Sequence, residues 1–251
     1  MLAEERRQEI VKLVNKVDTV HVTKLSSKFN VTEETIRRDL HILQKNHLLK
    51  RIHGGAVAVY NSQEELSFDF RKEENVSKKK EIAAKAAKLI QTGDTIFLDA
   101  SSTSMFLAKK LNQSDNITVI TNSIRIVYEL ADNNNVNLIS TGGILNLSTF
   151  SLVGPLANGS ISKYYADKLF ASCKGLDLKH GATDSYDLEI EVKKTMTKQA
   201  RKVIIMADSS KFNQIGLTQF AGLDQIEMII SDSSIKNSTK DLFLEQGLVF
   251  L

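Results

Sequence analysis

The chain has one cysteine, Cys173, in 251 residues. That count excludes an internal disulfide and fits a reducing compartment. No apolar run approaches the roughly 18 residues of a membrane span. The opening Met-Leu-Ala-Glu-Glu-Arg-Arg lacks the apolar core of a signal peptide. A cytoplasmic location with no membrane attachment is therefore expected. No internal repeat is visible, and only Asn133-Asn134-Asn135 is locally biased. The histidines show no zinc-type spacing, and no second cysteine supports them, so no metal site is expected. What is present, 42% hydrophobic and 25% charged residues, is enough to build ordinary globular cores.

The net charge of +3 hides an asymmetry. Residues 1–60 hold 11 Lys/Arg against 7 Asp/Glu, a balance of +4, whereas residues 61–251 hold 22 against 23, a balance of −1. His21, His41, His47 and His53 also lie in the first sixty residues. His21 and His47 are expected to be structural, and His41 and His53 to lie near phosphates.

The basic excess surrounds Thr32-Glu33-Glu34-Thr35-Ile36-Arg37-Arg38-Asp39-Leu40. Thr32 suits a helix N-cap, and Glu33 and Glu34 suit the positive end of the helix dipole. Ile36, Leu40 and Leu43 recur at i, i+4 and i+7, an apolar stripe for a core. Thr35, Arg37, Arg38 and His41 are left on the free face, which suits a major groove. Upstream, 4–16 reads as a helix with Ile10, Leu13, Val14 and Val17 inward and Arg6, Arg7 and Lys12 outward. Residues 20–22 read as a short strand. Thr23 is expected to cap a second helix reaching Phe29, and Asn30-Val31 makes the tight turn. Downstream, two apolar runs flank Gly54-Gly55, a hairpin signal. Lys50, Arg51 and His53 would give that hairpin a cationic edge.

Thr35-Ile36-Arg37-Arg38-Asp39-Leu40 followed by Arg51-Ile52-His53-Gly54-Gly55-Ala56 resembles the N-terminal signature of DeoR-type bacterial transcriptional regulators, in spacing as well as residues. The resemblance implies a winged helix-turn-helix over residues 1–57 that binds operator DNA. Its contact residues would be Thr23, Thr32, Thr35, Arg37, Arg38, His41, Lys50, Arg51, His53 and Gly54.

Residues 58–74 are expected to form a linker that docks Phe68 and Phe70 on a second domain over 75–251. A helix over 78–91 should bury Ile82, Ala83, Ala86, Leu89 and Ile90 and end at Gly93. Strands are then expected at 95–98, 117–120, 137–139, 168–171, 203–206, 228–230 and 248–250. Helices are expected at 104–111, 123–131, 157–164, 190–199 and 237–245. Short buried strands alternating with helices predict an α/β domain with a mainly parallel sheet covered on both faces.

Ligands of such sheets bind beyond the carboxyl ends of the strands. Three successive ends are polar: Asp99 with Ser101, Ser102 and Thr103; Thr121 with Asn122 and Ser123; and Thr141 with Gly142 and Gly143. Each taken singly also reads as a cap or turn, but their recurrence favours one pocket. Asp177, Glu189, Lys193, Asp208 and Lys211 follow, with carboxylates for hydroxyl groups and the Lys211 ammonium for a phosphate.

These positions run in the order of the DeoR sensor domain, so the resemblance covers nearly the whole chain. It implies a fold similar to ribose-5-phosphate isomerases and coenzyme A transferases, and an effector that is a phosphorylated sugar or related metabolite, with no cofactor. One departure is Ser101, where the family often has glycine. The implied function is a repressor of carbohydrate-use genes, acting as a homodimer or homotetramer. Two alternatives stand beside it: a sugar-phosphate isomerase with an attached DNA-binding domain, and a metal-sensing regulator resting on the histidines.

Overall fold

The computed structural model describes residues 2–17, 19–46, 48–57, 68–111 and 116–251. The chain divides into two compact units, Met1–Phe70 and Arg71–Leu251. His47 and most of the expected linker, 58–67, lie outside the described residues.

The first unit opens with helix α1 (Ala3–Val17), strand β1 (Thr19–His21) and helix α2 (Val22–Phe29). Helix α3 (Glu33–Lys45) follows, then strands β2 (Lys50–Ile52) and β3 (Gly55–Val57). Asn30 ends α2 in the left-handed conformation, with φ 51°, which asparagine tolerates. Thr32 caps α3 as expected, its hydroxyl accepting from Thr35 N at 3.2 Å. Ile36, Leu40 and Leu43 enter a core shared with Ile10, Val14, Leu25, Leu49 and Ala56. The three strands form one antiparallel sheet in the order β1-β3-β2, which is the wing.

Four expectations for this unit are corrected. Arg6 is not outward: it is 7% exposed, and its Nε lies 2.7 Å from the buried carboxylate of Asp39. Val17 is exposed rather than buried, because it sits at the end of α1, beyond the core. Thr23 is not the cap of α2. That helix starts one residue earlier, with His21 at the N-cap and no side-chain capping bond, since Val22 already turns into the core. Finally, Phe70 packs into the core of this first unit. It lies on helix α4 (Phe68–Glu73), where the linker was expected to dock on the second domain.

The second unit begins with helix α5 (Val76–Ala87), then β4 (Thr95–Leu98), α6 (Ser102–Ala108), β5 (Ile117–Thr121), α7 (Ile124–Leu130) and β6 (Val136–Ser140). A hairpin of β7 (Ile144–Asn146) and β8 (Ser151–Val153) precedes α8 (Pro155–Ile161) and β9 (Ala166–Ala171). Next come β10 (Gly175–Asp177), β11 (Gly181–Asp184), α9 (Asp187–Gln199), β12 (Ala200–Met206) and β13 (Thr218–Ala221). The chain closes with β14 (Met228–Ile230), α10 (Asn237–Leu244) and β15 (Val249–Phe250).

Seven strands form one sheet in the order β15-β14-β12-β9-β4-β5-β6, every neighbouring pair parallel. They are the seven expected from sequence. Period-2 alternation divides their side chains between two cores. Ile96, Leu98, Val119 and Ile204 meet Ile82, Leu107 and Ile126 of α5, α6 and α7. Phe97, Ile120, Leu169 and Ile205 meet Ile161, Met196 and Phe243 of α8, α9 and α10. Helix α5 ends at Ala87, before Leu89 and Ile90, which are only partly buried. The β7–β8 hairpin and the antiparallel sheet β10-β11-β13 were not expected. Among the described residues no helix is long and apolar enough to cross a membrane.

Two stability tests follow. Replacing Arg6 with Ala strands the Asp39 carboxylate in the core and is expected to cost about 3–5 kcal/mol. The double variant Arg6→Met/Asp39→Leu should recover most of it, as read by urea unfolding. At Gly55, a Cβ would lie 2.0 Å from the Val20 carbonyl oxygen. Gly55→Ala is therefore expected to destabilise the first unit by about 1–3 kcal/mol or more, which thermal unfolding of that unit would read.

Candidate nucleic-acid interface and effector site

The free face of α3 carries the cations expected there. Arg37 is half-exposed and pairs with Glu33 one turn back at 2.6 Å, an interaction solvent makes weak and exchangeable. Arg38 is exposed and has no ion pair among the described residues. Thr32 and Thr35 share a hydroxyl–hydroxyl hydrogen bond of 2.9 Å at the start of the helix. His41 meets Arg51 of β2 at 3.4 Å, so helix and wing share one basic surface. Lys50, His53 and Gly54 are exposed on the same hairpin, with Gly54 turning it at φ 77°. Thr23 is exposed in the first turn of α2. The Arg6–Asp39 pair, absent from the sequence expectation, ties α1 to α3 from behind.

In the second unit the polar strand ends converge on Lys193 of α9. Its ammonium donates to Asp184 and, at 2.8 Å, to the Ser172 carbonyl, and forms an ion pair with Asp99 at 3.0 Å. Burial alone would lower its pKa, but the two carboxylates and Glu189 raise it well above the usual lysine range. Burial alone would likewise raise Asp184, but Lys193 holds it below the usual carboxylate range. The group is thus a buried, charged triad.

Asp99 is equally committed. Besides its ion pair with Lys193 it accepts from Ser101 N at 3.3 Å, Ser101 Oγ at 2.6 Å, the Ser104 hydroxyl and Ser172 N at 3.0 Å. Ser101 also caps α6, accepting from Ser104 N at 3.1 Å with φ −79°. The backbone there makes no demand for glycine, so the departure at 101 fits without strain. Ser102 and Thr103 follow, buried in the first turn of α6. Thr121 bonds the Leu98 carbonyl at 2.8 Å and Ser123 N at 3.1 Å, and Ser123 caps α7.

Glu189, one turn before Lys193, accepts the hydroxyls of Thr149 and Ser151. Ser151 lies on β8, which bridges to Ser123 and whose Leu152 N donates to the Asn122 carbonyl at 2.7 Å. The hairpin therefore joins the ends of β5 and α9. Asn122 donates to the Leu152 carbonyl at 3.1 Å, but its Oδ1 is buried with no partner among the described residues, as is the Ser185 hydroxyl beside Asp184. A buried orphan acceptor costs about 1–3 kcal/mol, and a hydroxyl donor from a ligand would relieve it.

Asp99, Ser101, Ser102, Thr103, Thr121, Asn122, Ser123, Glu189 and Lys193 are thus brought to one stretch of the carboxyl edge. Gly142 and Gly143 enter the hairpin at φ 67° and 124°, and a Cβ on Gly143 would lie 2.6 Å from the Val153 carbonyl oxygen. Asp208 and Lys211 follow β12, further along the same edge. Asp177 stands apart: it accepts from Lys179 N, His180 N and His180 Nδ1 and closes the β10–β11 turn. Thr149, Ser151 and Ser172 were missed; the hydroxyl run Ser148-Thr149-x-Ser151 was the available signal. Buried Cys173 sits beside this centre, its thiol pushed by burial up to about 12.

A separate cavity of about 440 Å³ opens at the amino edge, lined by Lys88, Asp94, Lys168, Arg201 and Glu227 among others. It shares no residue with the cluster. No group of three His, Cys, Asp or Glu suited to a metal occurs among the described residues. The isomerase alternative gains no support from Lys193, which is ion-paired to two carboxylates.

Residues 6–63 match the model of the DeoR-like helix-turn-helix domain, and residues 74–233 match that of the DeoR C-terminal sensor domain. The HTH-type regulator YulB of Bacillus subtilis is 44% identical over 94% of this chain and 91% of its own. The L-fucose operon activator of Haemophilus influenzae is 34% identical over 93% of each. The putative aga operon transcriptional repressor of Escherichia coli O157:H7 is 30% identical over 92% and 87%. Among solved structures, the Pyrococcus horikoshii translation initiation factor eIF-2B matches 96% of this chain and 91% of its own, with 13% identity and a TM-score of 0.50, a likeness of fold. Ribose-5-phosphate isomerase A of Methanocaldococcus jannaschii matches 53% of each chain at 16% identity and a TM-score of 0.40.

The buried triad sets a pH window. The lowered Asp184 contributes stability that is present above its unfolded pKa near 3.8 and lost as pH falls. The raised Lys193 contributes stability that is present below its unfolded pKa near 10.5 and lost as pH rises through the folded value. The stability gap between wild type and Lys193→Met, read by urea unfolding, should narrow as pH falls from neutral, because Asp184 without Lys193 is raised by burial and protonates in the variant, and narrow again as pH rises above about 10.5. On the other unit, Arg38→Ala is expected to weaken operator binding by about 1–3 kcal/mol. Unchanged affinity across several salt concentrations would exclude this docking.

Proposed function

Because this chain belongs to the DeoR family of helix-turn-helix transcriptional regulators, we propose that it is a cytoplasmic repressor of carbohydrate-use genes, released from its operator by a phosphorylated sugar. The observation that carries the DNA-binding half is the basic surface shared by α3 and the wing, with Arg38 exposed on it. The observation that supports the effector half is the carboxyl-edge cluster, where Asn122 Oδ1 awaits a donor such as a sugar hydroxyl.

Repression and release require an effector that binds DNA-competent and DNA-incompetent states unequally. Operator half-sites read by such motifs lie about one helical turn apart, roughly 34–36 Å, which favours a homodimer or homotetramer. The names of relatives include both a repressor and an activator, so the direction of control needs its own readout.

The test is fluorescence anisotropy on DNA from upstream of the gene, at two salt concentrations, with a panel of phosphorylated sugars. Purified transcription from the same promoter runs in parallel. Tight binding relieved by one phosphosugar, with transcription rising as it is added, is the expected result. Tight binding that no phosphosugar relieves would remove the effector assignment. Transcription that falls on release would make the protein an activator.

A further inference from the structure

From Asn133 to Ser162 the chain carries no Asp, Glu, Lys, Arg or His. In a chain that is 25% charged, a gap of thirty residues is far longer than chance spacing gives. The gap covers β6, the β7–β8 hairpin and α8. Strand β8 needs no charge, because it is buried throughout. Strand β7 and the start of α8 have no such reason. Ile144, Leu145, Leu147 and Leu156 are 41–75% exposed. Single exposed aliphatic residues are ordinary on a protein surface, whereas a group of them with no charge among them marks a contact.

The hydrogen bonds show which strand faces outward. Leu152 N of β8 donates to the Asn122 carbonyl at 2.7 Å, and Asn122 Nδ2 donates to the Leu152 carbonyl at 3.1 Å. Thr149 and Ser151 donate to Glu189 of α9. These bonds seat β8 against the body of the unit. Strand β7 is the outer one: it pairs with β8 and with no second strand among the described residues. Ile144 reaches across the start of α8, its Cδ1 3.4 Å from where a Cβ on Gly154 would stand. Leu156 lies in the first turn of that helix, and Leu147 follows directly on β7. Outer strands are usually blunted by a charge or a proline. β7 has neither, which suits an edge that a partner covers.

The missing charge also selects the partner. A nucleic acid would require cations on this surface, and an anionic lipid surface would require Lys or Arg on the polar side. A second copy of the same surface requires neither. In a two-fold contact each patch meets itself, so a charge near the axis would face its own like. A charge-free apolar patch avoids that repulsion. The helix-turn-helix unit supplies the need for a second copy, because paired half-sites are read by paired chains.

We propose that the outer side of the β7–β8 hairpin and the start of α8 form a two-fold contact with a second copy of this chain. This rests on the homo-oligomer reading above and names its surface.

The test is sedimentation velocity of the full chain over a range of concentrations, with and without operator DNA. Each substitution counts twice in a two-fold contact. Ile144→Glu/Leu147→Glu should therefore raise the dissociation constant by about a hundredfold or more, taking a dimer to monomers or a tetramer to dimers. Leu156→Glu, on the helix rather than the hairpin, should act in the same direction. Ile144→Leu/Leu147→Met should associate within a few-fold of wild type. Thermal unfolding checks that each variant folds, and the Leu156 variant carries the test if the hairpin variant does not. If wild type associates and the folded glutamate variants associate as tightly, the contact lies on another surface and the homo-oligomer reading survives. If wild type stays monomeric at micromolar concentration, with operator DNA and without it, both fall.

Discussion

Lys193 between Asp99 and Asp184 is the constraint on which the sensor unit is built. A single ammonium draws together the end of β4, the end of β9, the end of β11 and the body of α9. Burying three charges is unfavourable unless each is matched, and here Lys193 is ion-paired to both carboxylates and donates to the Ser172 carbonyl. The cost of breaking one partner falls on the other two, so the loops at this edge are held in one arrangement. What this centre leaves over at the carboxyl edge is the Asn122 amide oxygen and the β7–β8 hairpin leaning on Glu189.

The first unit repeats the strategy on a smaller scale. Arg6 and Asp39 form its internal ion pair, and Asp39 sits between the recognition-face residues and the core. The pair fixes the rotation of α3 about its own axis. Ile36, Leu40 and Leu43 are then held inward, and Arg37, Arg38 and His41 outward. Readout of base edges needs a helix whose face is set to within a fraction of a turn, and a charged brace is directional where apolar packing is not.

Much of this was legible in the sequence, for physical reasons. The seven sheet strands are short, continuous apolar runs because both faces are covered, and such runs stand out against polar loops. The Thr32 cap and the Ile36/Leu40/Leu43 stripe are local signals, and they read true. What stayed hidden depends on partners distant in the chain. Arg6 looks like any surface arginine until Asp39, 33 residues on, is placed beneath it. Lys193 reads as a ligand-binding cation until its three acceptors are seen around it. The strands β7, β8, β10, β11 and β13 are three or four residues long. Their identity comes from pairing rather than propensity. Phe70 was assigned to the wrong unit because an aromatic in a polar stretch says that something will cover it, and not what.

Cys173 has a practical corollary. Its thiol is buried and held protonated, and thiolate is the reactive form. Oxidants and alkylating reagents that act on accessible thiols should leave the folded chain unchanged. A cysteine introduced on an exposed position, such as Gln44 on α3, would then be the one thiol that a maleimide dye reaches. The protein in its natural sequence is already a host for site-specific optical probes, with no residue to remove first.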